Sequence, residues 1–221
     1  ARTLARLAAC DAGDREASIA RARALFYEGE IAKELIAFHR ATGGWLTCDD
    51  LATYESPVER APRIAFRGWE VATPGIVGQG PVLLQALGIL EELPLESHAR
   101  GSADQLHLVA EALKQGFAER ERAYADPRFA ATTVEELLAP GHLAALRAAI
   151  RPDSALPGVA EAPAAGQGRF DTTYVAAADA AGNVFSSMPS DTIDGAPIAP
   201  GLGFFVSPRG VQSRLDPAHP A

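Results

Sequence analysis

Two threonines stand where the chain changes from a loose stretch to a strand-like pattern, in the segment GRFDTTYVAAADAAGNVFSSMPSD of residues 168–191. The first of them, Thr172, directly follows Asp171. A threonine hydroxyl needs a base to become a good nucleophile, and a free N-terminal amine can be that base because its ordinary pKa is about 7.7–8.0. Thr172 would therefore supply both groups if the chain were cleaved immediately before it.

A simpler interpretation is also open, because threonine is common in strands. The spacing of the residues alone does not decide between the two interpretations, although the residues before the pair suit the chemical one. From Arg151 to Gly168 the chain is rich in Pro, Ala and Gly without hydrophobic periodicity, which predicts a surface linker over 151–170. A cleavable linker before a threonine that begins a buried strand is the layout of an N-terminal nucleophile hydrolase.

The chemistry of such a precursor is self-cleavage. The Thr172 hydroxyl attacks the carbonyl carbon of Asp171, and an ester replaces the peptide bond. Water hydrolyses the ester, which leaves a carboxylate on Asp171 and frees the α-amino group of Thr172. The sequence therefore predicts cleavage between Asp171 and Thr172.

The strands after the linker are predicted to form a hairpin. The runs Thr173–Asp179 and Asn183–Met188 are separated by Ala-Ala-Gly, which suits a three-residue loop ending in a left-handed glycine. If Asp179 pairs with Asn183, Thr172 lies opposite Ser190, with Cβ atoms about 5 Å apart. A β-bulge would shift this register by one residue, so the pairing is an expectation at this point.

The chain before residue 150 is predicted to be mainly helical. Amphipathic spacing predicts helices at Ala17–Leu25 and Ile31–Phe38, and capping signals predict helix starts at Thr47, Ser102 and Thr133. Short strands are expected on both sides of Arg67-Gly68, a helix beginning near Pro81, and a late strand at Gly203–Val206.

Composition excludes several classes of function. The net charge of −8 argues against nucleic acid or an anionic membrane as the main partner, and no apolar run approaches a membrane span. The two cysteines, Cys10 and Cys48, and the scattered histidines have no metal-ligand spacing, so no metal or organic cofactor is predicted. The glycines at 75, 78 and 80 lack the spacing of a phosphate-binding loop and predict a structural turn.

Several blocks in order resemble the γ-glutamyltransferase family, also known as γ-glutamyltranspeptidase or glutathione hydrolase. They are ALFYEGEIAKELIAFHRATGGWLTCDDLATYE, RGWEVATPGIVGQGPVLLQALGILE and ADQLHLVAEALKQGFAERERAYADPRF. The later block DTTYVAAADAAGNVFSSMPSD falls where the family has its self-cleavage site.

The resemblance implies an α+β fold, the αββα sandwich of N-terminal nucleophile hydrolases, of which this chain is a middle part. It implies Thr172 as nucleophile and Ser190 in place of a second threonine that hydrogen-bonds the nucleophile's amine. Residues 1–171 would be the end of a large subunit and 172–221 the start of a small one. The family's carboxylate-binding arginine would precede this chain and its oxyanion hole would follow it, so this chain alone is expected to be inactive.

Departures from the family pattern indicate a changed substrate. The chain has Tyr174 where γ-glutamyl enzymes usually have histidine. It reads PGLGFFVSPRGVQS where the family usually has acidic residues for the glutamyl amino group, so that Arg209 and Gln212 occupy those positions. A guanidinium suits an anion, as in a small oxamate-like amide. A solvent-facing loop arginine is the alternative, and Thr192 and Asp194 are assigned to the same substrate pocket.

We therefore expect an amide hydrolase or acyltransferase whose partners are a small-molecule amide and the rest of its own two subunits. A true γ-glutamyltranspeptidase acting on glutathione is one alternative. A non-catalytic scaffold, truncated or unprocessed, is another. The compartment, cytoplasmic or periplasmic, is left open by the sequence.

Overall fold

The computed structural model describes residues 2–157, 173–191, 195–209 and 216. The described residues form two compact units. One contains residues 2–57 together with 173–191 and 195–209, and the other contains residues 58–157 and 216. The first unit thus contains residues from both sides of the predicted cleavage site. The predicted boundary between the two subunits, after residue 171, is a point of chain cleavage and not a boundary between compact units. It stays a prediction.

Four helices open the first unit, and their core contacts the later part of the chain. The helices are α1 (Arg2–Ala8), α2 (Arg15–Tyr27), α3 (Glu30–Ala41) and α4 (Cys48–Ala52). Ile31 and Leu35 of α3 pack with Ala199 and Leu202 in one buried cluster. The helices predicted around residues 17–25 and 31–38 are confirmed, as is the capping box by which Thr47 begins α4.

The strand predicted at Gly203–Val206 is wrong. This stretch folds back on itself, since the N–H of Ala199 donates to the carbonyl of Phe204 at 2.8 Å and that of Gly203 donates to Ala199 at 3.1 Å. Gly201 and Gly203 have φ values of 81° and 76°, which a β-strand does not accommodate. The alternation of glycine with apolar residues therefore specified a compact turn.

The predicted hairpin is confirmed in its register. Strands β3 (Val175–Ala178) and β4 (Val184–Ser187) are antiparallel, and Val175 pairs with Ser187 while Ala178 pairs with Val184. Gly182 has the left-handed φ of 84° that the loop requires. The strands are not buried as expected, however: the side chains of Val184 and Phe185 are 76% and 61% exposed because no other described residues cover them.

The second unit is a helical layer with one short hairpin. Its elements are β1 (Arg63–Phe66), β2 (Trp69–Ala72), α5 (Gly80–Leu90), a 3₁₀ turn (Leu95–Ser97), α6 (Ala103–Ala123), α7 (Val134–Leu137) and α8 (Pro140–Ala149). Buried apolar residues of α5, α6 and α8 form its main core, including Ile89, Ala112 and Leu143. The strands predicted around Arg67-Gly68 are confirmed, and both turn residues have the positive φ of a type I′ turn.

The predicted caps are confirmed with one correction. Thr133 and Glu136 form a complete capping box at α7. At α6 only half of the predicted box exists, because Ser102 accepts from the N–H of Gln105 while the side chain of Gln105 accepts from Gly101 instead. The glutamine thus stabilises the turn before the helix rather than the N-cap residue itself.

A buried carboxylate on α6 fixes the backbone just before the predicted linker. Glu111 is 2% exposed, and its carboxylate accepts from Lys114 Nζ at 2.9 Å and from the N–H of Leu156 at 2.8 Å. Burial opposes ionisation, but these hydrogen bonds outweigh it and hold the pKa of Glu111 below its ordinary value. The remainder of the linker, beyond residue 157, lies outside the described residues.

The glycine-rich turn before α5 is specified by a close backbone approach. A Cβ on Gly80 would lie 2.5 Å from the carbonyl oxygen of Pro74, whereas a Cβ on Gly78 would lie 3.6 Å from its nearest neighbour, an ordinary contact. Gly80 is therefore required where the chain crosses itself to enter the helix. This geometry agrees with the predicted structural turn.

Gly80→Ala should lower the free energy of unfolding by about 1–3 kcal/mol, because the backbone at Pro74 has to move to admit the methyl group. Gly78→Ala, the matched control, should change it by less than about 0.5 kcal/mol. Thermal unfolding of both variants beside the parent protein measures the difference. Equal shifts in the two variants would contradict this reading of the turn.

Candidate active site at the end of the hairpin

The structure describes two of the predicted site residues, Ser190 and Arg209, and brings them together. The other predicted site residues lie outside the described residues; they are Asp171, Thr172, Thr192, Asp194 and Gln212. Their predicted roles, and the predicted position of Thr172 opposite Ser190, therefore stay predictions.

The hairpin delivers Ser190 through a register that its turn fixes. One oxygen of the Asp179 carboxylate accepts from the N–H groups of Ala181 and Asn183, and the other accepts from the Asn183 side chain. These bonds, that of the Asn183 side chain foremost, lower the pKa of Asp179. At the open end the N–H of Thr173 donates to the carbonyl of Pro189 at 3.1 Å, so the ladder continues beyond the strands to the residue before Ser190.

Arg209 reaches back from the later turn to the end of the hairpin. Its Nη2 donates to Ser190 Oγ at 2.6 Å, and its Nε lies 3.4 Å from Asp191 Oδ1. Ser207 Oγ donates to the same Asp191 oxygen at 2.8 Å and accepts from the backbone N–H of Arg209 at 3.3 Å. The Arg209 side chain is 35% exposed and contacts both Ser190 and Asp191, while its predicted role in binding substrate stays a prediction.

The polarity of these bonds determines what the hydroxyl can do. A guanidinium only donates hydrogen bonds, so the Ser190 oxygen accepts from Arg209. The single proton of the Ser190 hydroxyl is consequently directed to a different acceptor. The arrangement makes Ser190 an oriented donor next to a positive charge.

Sequence reasoning missed Asp191 and Ser207, which complete this cluster. Asp191 is adjacent to Ser190, and that adjacency was the only available signal. Ser207 directly follows the segment Gly203–Val206, which was wrongly predicted to be a strand, so its position relative to the hairpin could not be inferred. Both contacts depend on how residues 195–209 fold back.

The described residues also bear on three other features: metal clusters, histidine ligands and membrane-spanning helices. No group of three or more His, Cys, Asp or Glu side chains in that part of the chain is arranged to hold a metal ion. His107 Nε2 lies 2.7 Å from the carbonyl oxygen of Arg151, a packing contact of α6. No helix among the described residues has the length and apolar character needed to cross a bilayer.

The chain is similar to enzymes of one family over nearly its whole length. The family described as γ-glutamyltranspeptidase matches residues 1–210. The acylase ACY 1 proenzyme of Pseudomonas sp. (strain SE83) is 36% identical over 170 residues, 76% of this chain and 30% of that protein. The oxamate amidohydrolase proenzyme of Klebsiella pneumoniae is 29% identical over 199 residues, 88% of this chain and 36% of that protein.

Structural comparison agrees with the sequence. The cephalosporin acylase of Bacillus halodurans aligns with a TM-score of 0.73 and 29% identity, covering 93% of this chain and 37% of that one. This chain thus spans about a third of the length of these relatives. Its α+β fold is part of the N-terminal nucleophile hydrolase fold that such neighbours share. The chain belongs to the γ-glutamyltranspeptidase family.

Proposed function

We propose that this chain carries the cleavage site and the nucleophile of a self-processing amide hydrolase or acyltransferase. Thr172 is the nucleophile in this proposal, and cleavage between Asp171 and Thr172 frees the α-amine that acts as its base. The relatives described above are named as proenzymes, which supports processing of this kind.

The proposal rests on one observation. The hydrogen bond from Thr173 N–H to the carbonyl of Pro189 extends the antiparallel register to the pair adjacent to Thr172 and Ser190. Continued by one residue, that register supports a nucleophile facing a hydroxyl that Arg209 has already oriented. Every described pair of β3 and β4 keeps the same register, which supports this pairing.

The oriented hydroxyl has a definite role in turnover. The α-amine takes the proton of Thr172 Oγ, and Oγ attacks the carbonyl carbon of the substrate amide. The leaving nitrogen departs with a proton, and water or an acceptor amine then cleaves the threonyl ester. In this proposal Ser190 Oγ, which accepts from Arg209, also accepts an N–H of the α-amine, and this leaves the one lone pair of the amine directed at the proton of Thr172 Oγ.

The substrate that fits this site is a small anionic amide. Arg209 is a fixed cation next to Ser190, and desolvated like charges repel, so the ammonium of a γ-glutamyl group is disfavoured here. Two relatives are named acylase and oxamate amidohydrolase rather than glutathione hydrolase, which supports a changed acyl group. Gln212, Thr192 and Asp194 belong to the same pocket in this proposal.

The proposed partners follow from the chemistry. The enzyme takes a small-molecule amide and retains both of its own cleaved subunits, since the first compact unit contains residues from each side of the cleavage site. Neither nucleic acid nor a membrane is proposed as a partner, in keeping with the net charge of −8.

Intact mass spectrometry of the protein expressed from the complete reading frame tests the nucleophile. The parent protein should yield two fragments, the smaller beginning Thr-Thr-Tyr-Val, and Thr172→Ala should abolish cleavage because no hydroxyl is left to attack Asp171. Thr173→Ala is the matched control and should still be cleaved, since Thr173 contributes a backbone bond to Pro189. An uncut parent chain would favour the scaffold alternative.

Kinetics on a charged and a neutral substrate test the role of Arg209. Arg209→Ala should raise the KM for oxamate by about tenfold or more, because a hydrogen bond to a charged group contributes roughly 1.5–3 kcal/mol. The KM for neutral oxamide should change much less, and Arg209→Lys should retain part of the preference. An unchanged KM for oxamate would end the anion proposal, and efficient hydrolysis of γ-glutamyl-p-nitroanilide would favour the glutathione alternative.

A further inference from the structure

Asp191 lies against the guanidinium of Arg209, and neither the proposed mechanism nor the sequence analysis gives it a role. Its Oδ1 lies 3.4 Å from Arg209 Nε and accepts from Ser207 Oγ at 2.8 Å. Ser207 also accepts from the backbone N–H of Arg209. The carboxylate is therefore held beside the arginine by the same short segment that carries the arginine.

An incoming anion can compete with this contact. The pair joins side chains that are 35% and 46% exposed, and a single carboxylate oxygen approaches the guanidinium at a long distance. Exposed ion pairs of this geometry contribute little to stability because solvent screens them. Asp191 thus partly compensates the positive charge of Arg209 without forming a tight ion pair with it.

Arg209 also keeps donors for a second anion. The guanidinium has five N–H groups, and its contacts use Nη2 toward Ser190 and Nε toward Asp191. Nη1 makes no hydrogen bond to any residue that the structure describes. A substrate carboxylate on the Nη1/Nη2 edge would share one guanidinium with Asp191, and two carboxylates so placed repel each other.

We propose that Asp191 is the resident counter-ion of the substrate site and sets its selectivity by weakening the binding of anions. The proposal rests on the function proposed above for Arg209. Asp191 partly compensates the charge of Arg209, so the pair attracts an anionic amide less strongly than an uncompensated arginine would.

The repulsion has a use in the proposed reaction. Hydrolysis of an anionic amide consumes water and gives a dicarboxylate and ammonium, so the acid product carries one more negative charge than the substrate. Asp191 repels that product more strongly than it repels the substrate, because repulsion grows with charge. The residue therefore weakens substrate binding but speeds the departure of the product.

The test removes the charge of the Asp191 side chain and keeps its shape, in the processed full-length enzyme. Asp191→Asn retains an oxygen that accepts from Ser207 and Arg209, and it should lower the KM for oxamate by about two- to fivefold. The KM for neutral oxamide should stay the same. Asp153→Asn, an exposed change of equal charge in the other compact unit, should alter neither value.

Binding of the diacid product gives a readout that needs no turnover. The dissociation constant of oxalate, taken from its effect on the thermal unfolding midpoint, should fall by a larger factor than the KM for oxamate. Added sodium chloride should weaken oxalate binding more steeply in Asp191→Asn than in the parent enzyme, because the uncompensated site depends more on charge.

The outcomes separate this inference from the proposed function. If the parent enzyme and Asp191→Asn bind oxalate with equal affinity, or if neither binds it, the proposed role of Asp191 is overturned. This holds whether or not the parent enzyme hydrolyses amides. A raised KM for oxamate in Asp191→Asn also overturns it and would mean that Asp191 positions Arg209. Hydrolysis of neither amide by the parent enzyme would count against the proposed function, while tighter oxalate binding by Asp191→Asn would still support the counter-ion.

Discussion

The antiparallel register of the β3–β4 hairpin is the constraint on which the account of the site depends. Successive residues of a strand alternate between faces, so a shift of one residue would turn every side chain to the opposite face. The loop prevents this shift locally, since both oxygens of the Asp179 carboxylate accept hydrogen bonds within it. Everything inferred about residues facing each other at the open end follows from that loop.

The charge of two side chains, Arg209 and Asp191, is the second determinant of the candidate site. Arg209 stands where the resemblance to the family predicts acidic side chains, and in the structure its guanidinium hydrogen-bonds the Ser190 hydroxyl. One substitution thus changes the sign of a group at the end of the hairpin and also orients a hydroxyl. Asp191 moderates the change without reversing it, because its carboxylate is half exposed and approaches Arg209 through one oxygen.

Local signals in the sequence predicted much of the fold. Helix caps at Thr47 and Thr133, the turn at Arg67-Gly68 and the hairpin loop were all readable because each is encoded by neighbouring residues. The failures were nonlocal. The stretch Gly203–Val206 alternates like a strand, but its shape is set by packing with α3 and by left-handed glycines. Asp191 and Ser207 were missed for the same reason, since the contact between them depends on residues 195–209 folding back to the hairpin.

The most direct test of the central claim is to trap the acyl-enzyme and locate the acyl group. Processed full-length enzyme would be mixed with oxamate, quenched in acid during turnover, digested and analysed by peptide mass spectrometry. The account predicts an oxalyl ester on Oγ of the threonine that begins the Thr-Thr-Tyr-Val peptide. An ester on Ser190 or any other residue, or continued turnover with that peptide unmodified, would contradict it.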